Sequence, residues 1–215
     1  MAAISALPTL AEQAERLIAL GVADRAGIPA DDLRSLGGSS ATNAVLAIHP
    51  DRAPASVLAP LLESSGKAGF VVTDMVDVDM FAPISQVAVP RTDVYVVTDV
   101  DRGDQMSNWS PEEALPAILA TGRTPLTLTE GMHWLLQQPE ALERDHCFMT
   151  IGSRRTKDTG RLDARTPAIW ISNGTGRDGA ANRNAPKVGW CWAGNRHTWL
   201  GFASAAGRHS PATSV

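Results

Sequence analysis

The 215 residues are 44% apolar and 20% charged, the balance of a chain that buries a core. No apolar run approaches the roughly 18–20 residues of a membrane span, and MAAISALPTLAEQAERL lacks the basic-then-apolar order of a secretory signal, so a cytoplasmic location with Cys147 and Cys191 as thiols is expected. Charge is uneven: residues 1–150 hold 9 Lys and Arg against 20 Asp and Glu, whereas residues 151–215 hold 10 against 3, which points either to a basic face that meets an anion or to pairing between the two parts.

Three helix starts are legible. Thr9 with Glu12, Ser110 with Glu113 and Thr127 with Glu130 each fit a capping box, in which hydroxyl and carboxylate satisfy each other's free backbone N–H groups. The first helix is predicted from about Leu10 to Leu20, stopped by Gly21, and a second from Ala30 to Leu36, ended by Gly37-Gly38. Together they make an N-terminal helical hairpin. GGSSATNA then reads as a linker, so residues 1–38 form a helical segment, 39–209 the main domain and 210–215 a disordered tail.

Further along, AVLAIHP predicts a strand and PASVLAPLLESS a helix with Pro60 in a turn or kink. GFVVTDMVDVDMF and DVYVVTDVD are β-rich. PEEALPAILATG and LTEGMHWLLQQPEAL are helices, with Pro111 at a first helical position. CFMTIGS and PAIWIS are strands. The last third is mostly strand, which predicts an α+β fold: a mixed or antiparallel sheet, flanking helices and a C-terminal β-hairpin.

The hairpin is read in VGWCWAGNRHTWLGF. Gly194-Asn195 suits a two-residue turn. With that register Trp190, Trp192, His197 and Trp199 share one face, while Cys191, Thr198 and Leu200 share the other. Such a face is either core packed on a helix or an open stacking platform with His197 beside it. Each buried indole N–H needs an acceptor, which argues for the platform.

The segments TDVDRG, SPEEALPAIL, GRTPLTLTEG, PAIWIS and GWCWAGNRHTWLGFASAAGR resemble an uncharacterised actinobacterial domain-of-unknown-function family over residues 68–208. The resemblance implies no catalytic residue. The loop NGTGRDGAANRNAP is longer and more polar than that family leads one to expect.

Other motifs fail on chemistry. Gly174, Gly176 and Gly179 match G-x-G-x-x-G, but no amphipathic helix follows, so the stretch reads as a flexible hairpin loop. Asp99 to Ser110 lacks the glycine and glutamate of a calcium loop. Neither cysteine has zinc-ligand spacing, and Cys191 would need a base from elsewhere to act as nucleophile. If VDVD is a strand, Asp77 and Asp79 share a face and could take a divalent cation; the same pair also reads as a solvated edge. No organic cofactor is predicted.

The sequence therefore predicts a small-molecule-binding protein, read as a cofactor-free acid–base enzyme (isomerase, cyclase or hydrolase) acting on a polar or anionic ring-containing metabolite. Trp190, Trp192 and Trp199 would supply the surface, and Arg154, Arg155 and Arg196 the counter-charge. His197 would move the proton, with Asp99 or Glu130 as partner acid. The alternative is an interaction protein that docks a partner through its N-terminal helices. A haem- or nucleic-acid-binding protein is a weaker third: the RRM signature is absent and the pI is about 5.7. Oligomeric state is not legible.

Overall fold

The computed structural model describes residues 6–36 and 42–211. The Gly37-Gly38 helix stop, most of the linker and residues 212–215 of the expected tail lie outside them. Helix α1 (Leu10–Ala19) starts as its capping box requires: Glu12 Oε2 accepts from the Thr9 amide at 2.8 Å and Thr9 Oγ1 from the Glu12 amide at 3.3 Å. The buried face of Leu10, Gln13, Ala14 and Leu17 follows the helical period. The N-terminal region is helical, but as three pieces rather than a two-helix hairpin. Gly21 and Gly27, both left-handed, bracket the short α2 (Val22–Ala26), and α3 (Ala30–Leu36) follows. Buried Gln13 ties α1 to the body: its amide donates to Ala44 O at 2.7 Å, and its carbonyl accepts from Leu46 N at 2.8 Å. Leu10, Ala14 and Leu17 join the apolar core that the sheets share.

The strands that position the site are β1 (Ala44–Ile48), β2 (Phe70–Val71), β3 (Val94–Thr98), β4 (Cys147–Met149), β5 (Arg165–Ile171), β6 (Pro186–Trp192), β7 (Leu200–Phe202) and β8 (Gly207–His209). Between them lie α4 (Ala55–Leu58), α5 (Pro111–Ala120) and α6 (Leu128–Gln137). One sheet has β3 between β1 and β8, antiparallel to both, with Leu46 opposite Val96 and Arg208 opposite Val97. The largest, five-stranded sheet runs β7-β4-β5-β6-β2; its inner pairs are antiparallel and its two outer strands are parallel to their neighbours, and three two-stranded ladders complete the described strands. The fold is α+β with a mixed sheet.

Helix α6 lies against β1 on one side and β5 on the other, and all its residues are buried. Gly131 permits the approach, since a Cβ there would sit 2.6 Å from Thr150 Cγ2. Trp134 stacks on Phe148 with centroids 5.2 Å apart. Toward β1, His133 Nε2 accepts from Ile48 N at 3.2 Å, while Nδ1 lies 2.7 Å from Thr129 O. Both contacts are satisfied by the neutral Nδ1–H tautomer.

Two further sequence expectations are corrected. The chain turns one residue earlier than expected, at Ala193-Gly194, with Asn195 N donating to Trp192 O at 3.0 Å, and the strands beside it do not pair. β5 holds one edge of β6 over seven residues, and the residues around the turn bond elsewhere, with Asn108 N donating to His197 O at 2.8 Å and Glu112 N to Ala193 O at 3.2 Å; β7 takes the free edge of β4. The C-terminal hairpin is instead β5–β6, closed by the 172–185 loop that the sequence reads as a hairpin connection. The second correction concerns VDVD. Residues Val78–Met80 form a 3-10 turn, not a strand, so Asp77 and Asp79 do not share a sheet face.

Charge imbalance resolves partly by internal pairing. Arg155, Arg165, Arg177, Arg196 and Arg208 each pair with a carboxylate from the first 150 residues. The most enclosed is Arg208–Glu130, with side chains 2% and 1% exposed. Arg208 Nε and Nη2 donate to the Glu130 oxygens at 2.5 and 2.6 Å, Tyr95 Oη donates to Oε1 at 3.0 Å, and the Thr127 amide donates to Oε2 at 2.8 Å. The capping carboxylate of α6 is thus also the counter-ion that anchors β8.

Candidate functional site

The β5–β6 register decides which side chains meet. Ile169 and Val188 face α6 and are buried, while Trp170, Lys187 and Gly189 lie on the opposite face. Phe70 of β2 and Val72, just after it, flank that face. A Cβ at Gly189 would lie 2.6 Å from Trp170 Cη2 and 3.2 Å from Val72 Cγ1, so the indole lies over the bare backbone.

Here is a cavity of about 410 Å³, within the range of small-molecule sites. Phe70, Trp170 and Trp190 give it aromatic wall, and the 172–185 loop contributes Arg177 and Asp178. Lys187 Nζ sits 4.8 Å from the Trp170 ring centroid and 2.7 Å from Asp178 Oδ1. Ser172 Oγ donates to Asp178 Oδ2 at 2.8 Å. Across the cavity Arg177 reaches Asp74 at 2.9 Å.

The indoles expected on one platform are divided. Trp190 and Trp192 pack edge to face at 4.6 Å, and Trp192 is exposed. Trp199 instead meets His197 at 5.2 Å and Trp170 at 6.2 Å. His197 Nε2 is buried without a hydrogen-bond partner, and burial pushes its imidazole below the ordinary histidine range. Among the residues expected to form the site, Trp190 alone lines this cavity.

The expected acids stand elsewhere. Asp99 pairs with Arg123 at 2.6 Å and accepts from Asn43 at 3.0 Å, which together hold its carboxyl below the usual range. Glu130 is enclosed by Arg208, Tyr95 and Thr127 as described. The expected counter-charges are also engaged. Arg154 donates to Asp163 O at 3.0 Å; Arg196 bonds Asn108 O at 3.1 Å and pairs with Glu113.

Arg155 pairs with Asp77 at 2.5 Å, and Arg165 bonds both Asp77 oxygens and Asp163. Arg165 hydrogen bonding, joined by Arg155, holds the Asp77 carboxyl down at about 2. Asp79 is spent on Ser56, whose amide and hydroxyl donate to it at 2.8 and 2.6 Å. The two aspartates therefore face different partners, and among the described residues no group of three or more His, Cys, Asp or Glu is placed to hold a metal. Both cysteines are free thiols, and burial raises each to about 11.

The motif segments have structural work. In TDVDRG, the Asp101 carboxylate accepts from Gly103 N at 2.6 Å, and buried Arg102 forks onto Asp104 at 2.7 and 2.6 Å. Left-handed Gly103 lies against β7, where a Cβ would come 2.2 Å from Phe202 O. In GRTPLTLTEG, Arg123 joins Asp99 to Ser204. A family model described as a family of unknown function (DUF5701) matches residues 16–211. The chain belongs to DUF5701. Neither the comparison with curated proteins nor that with solved structures finds a match. Among the described residues of this DUF5701 chain, no helix is long and apolar enough to cross a membrane.

Sequence reasoning missed Trp170, Lys187, Phe70 and Arg177. A signal for two of them existed. Once PAIWIS and PKVGWCW are joined as a hairpin, the register places Trp170 opposite Lys187.

Proposed function

We propose that this chain binds a small metabolite with a flat ring and a polar or anionic group, in the cavity between β2, the outer face of β5–β6 and the 172–185 loop. One observation carries the reading: an indole fixed over Gly189, with a lysine ammonium against its face, opens onto a volume suited to a single ring system. Aromatic walls pack on flat rings edge to face as well as face to face, and the two acid–base pairs of the lining offer a polar or charged substituent its partners.

The function proposed is binding. Neither His197, Asp99 nor Glu130 lines the cavity. An isomerase, cyclase or hydrolase activity would need to draw its acid and base from the lining itself, where Asp178 is paired with Lys187 and Asp74 with Arg177. The test is tryptophan emission and melting temperature on titration with ring-containing metabolites, in the native chain and in Trp170→Leu. Saturable quenching and a raised Tm in the native chain, both lost in the variant, are expected. A native response that survives in Trp170→Leu would move the site elsewhere.

A further inference from the structure

The cavity holds two ion pairs of unequal character. Asp178–Lys187 is closed: the side chains are 12% and 16% exposed, Ser172 also donates to Asp178, and Lys187 is held against Trp170. Asp74–Arg177 is open, with side chains 42% and 77% exposed. An exposed pair of this kind is worth little in water and is readily exchanged. Its members come from different walls, Asp74 from the segment after β2 and Arg177 from the hairpin loop, so separating them parts the rim of the cavity.

We propose that the ligand is a zwitterion: an aromatic ring bearing adjacent ammonium and carboxylate groups, as in an aromatic amino acid. The ring lies against the aromatic wall of Phe70, Trp170 and Trp190, the ammonium meets Asp74 and the carboxylate meets Arg177. This assignment rests on the pocket reading above and follows from charge balance. The two carboxylates and two cations of the lining cancel, so neither a simple anion nor a simple cation finds a net opposite charge. An anion that takes Arg177 leaves Asp74 beside it unpaired, and a cation that takes Asp74 strands Arg177. A ligand carrying both charges replaces one loose pair with two. Arg177 supplies the planar fork that matches a carboxylate.

The test uses the full chain and calorimetric titration with L-phenylalanine, 3-phenylpropionate and phenethylamine, which share a ring and differ in charge. L-phenylalanine is expected to bind at least ten-fold more tightly than either of the others. Asp74→Asn should remove its advantage over 3-phenylpropionate, and Arg177→Gln its advantage over phenethylamine; both side chains are exposed, so the fold tolerates the changes. If 3-phenylpropionate or phenethylamine binds as tightly as L-phenylalanine, the zwitterion is wrong and the pocket stands. The zwitterion is equally wrong if both variants weaken all three probes to the same extent. Silence of all three probes overturns the zwitterion, and the Trp170→Leu comparison above decides the pocket on its own.

Discussion

Acidification should loosen this fold through His133 before it touches the carboxylates. The imidazole is fully buried between α6 and β1, and that burial pushes it from 6.5 down to about 4, against the opposing pull of the Thr129 carbonyl and of Glu130. Protonating Nε2 would also turn it from an acceptor into a donor facing the Ile48 N–H. A base whose folded value lies below its unfolded value binds its proton more readily in the unfolded chain. Its stabilising effect is therefore complete above about pH 6.5 and lost as the pH falls toward 4. Each tenfold difference in proton affinity is worth about 1.4 kcal/mol, so the loss at pH 4 is roughly 3 kcal/mol. That is a large share of the roughly 5–15 kcal/mol that holds a domain folded. Urea unfolding of the native chain and of His133→Gln at pH 7, 6, 5 and 4 isolates the effect, because other titrations cancel in the difference. The glutamine carbonyl can still accept from Ile48. The variant should be the weaker at pH 7, with the gap shifting in its favour by about 3 kcal/mol at pH 4. A gap independent of pH would refute the buried, neutral imidazole.

Other outcomes are equally specific. Asp77→Asn should flatten a lower acid limb. The native carboxyl is depressed to about 2 from 3.8, so its contribution is present above pH 3.8 and fades toward 2, by roughly 2 kcal/mol; denaturant midpoints between pH 4 and 2 check it. Arg208→Met should cost about 3–5 kcal/mol because it strands Glu130 in the core; a thermal melt close to the native curve would contradict the buried pair. Gly189→Ala should cost about 1–3 kcal/mol and abolish ligand quenching by displacing the Trp170 ring, and quenching that persists would place the ligand elsewhere.

Local chemistry was readable from the sequence and remote competition was not. The three capping boxes form because hydroxyl, carboxylate and amide lie within one turn. AVLAI and the VYVVT run are strands buried on both faces, as unbroken apolar runs suggest. Gly194-Asn195 carried an equally good local signal, yet its hairpin lost to partners far along the chain: Asn108 and Glu112 bond the carbonyls of His197 and Ala193, and β7 pairs with β4. The same limit explains Asp77 and Asp79. VDVD alternates like a strand, but Asp77 answers two arginines more than 70 residues away, and Asp79 answers Ser56. Glu130 is legible as a cap and stands open in the sequence as one of two partner acids; its guanidinium partner, far along the chain, was visible only in the fold.

That distance has a consequence during synthesis. Arg208 emerges 78 residues after the carboxylate it neutralises, on the strand that also completes β3. At about 5–20 residues per second, a nascent chain waits roughly 4–16 s with an acid poised at a site it cannot yet enter uncompensated. Until the late strand threads in beside β3, the earlier half should stay soft and open to proteases on the ribosome. Arrested chains that hold Arg208 inside the ribosome tunnel should be digested readily, and chains extended by a C-terminal linker long enough to bring Arg208 out of it should resist.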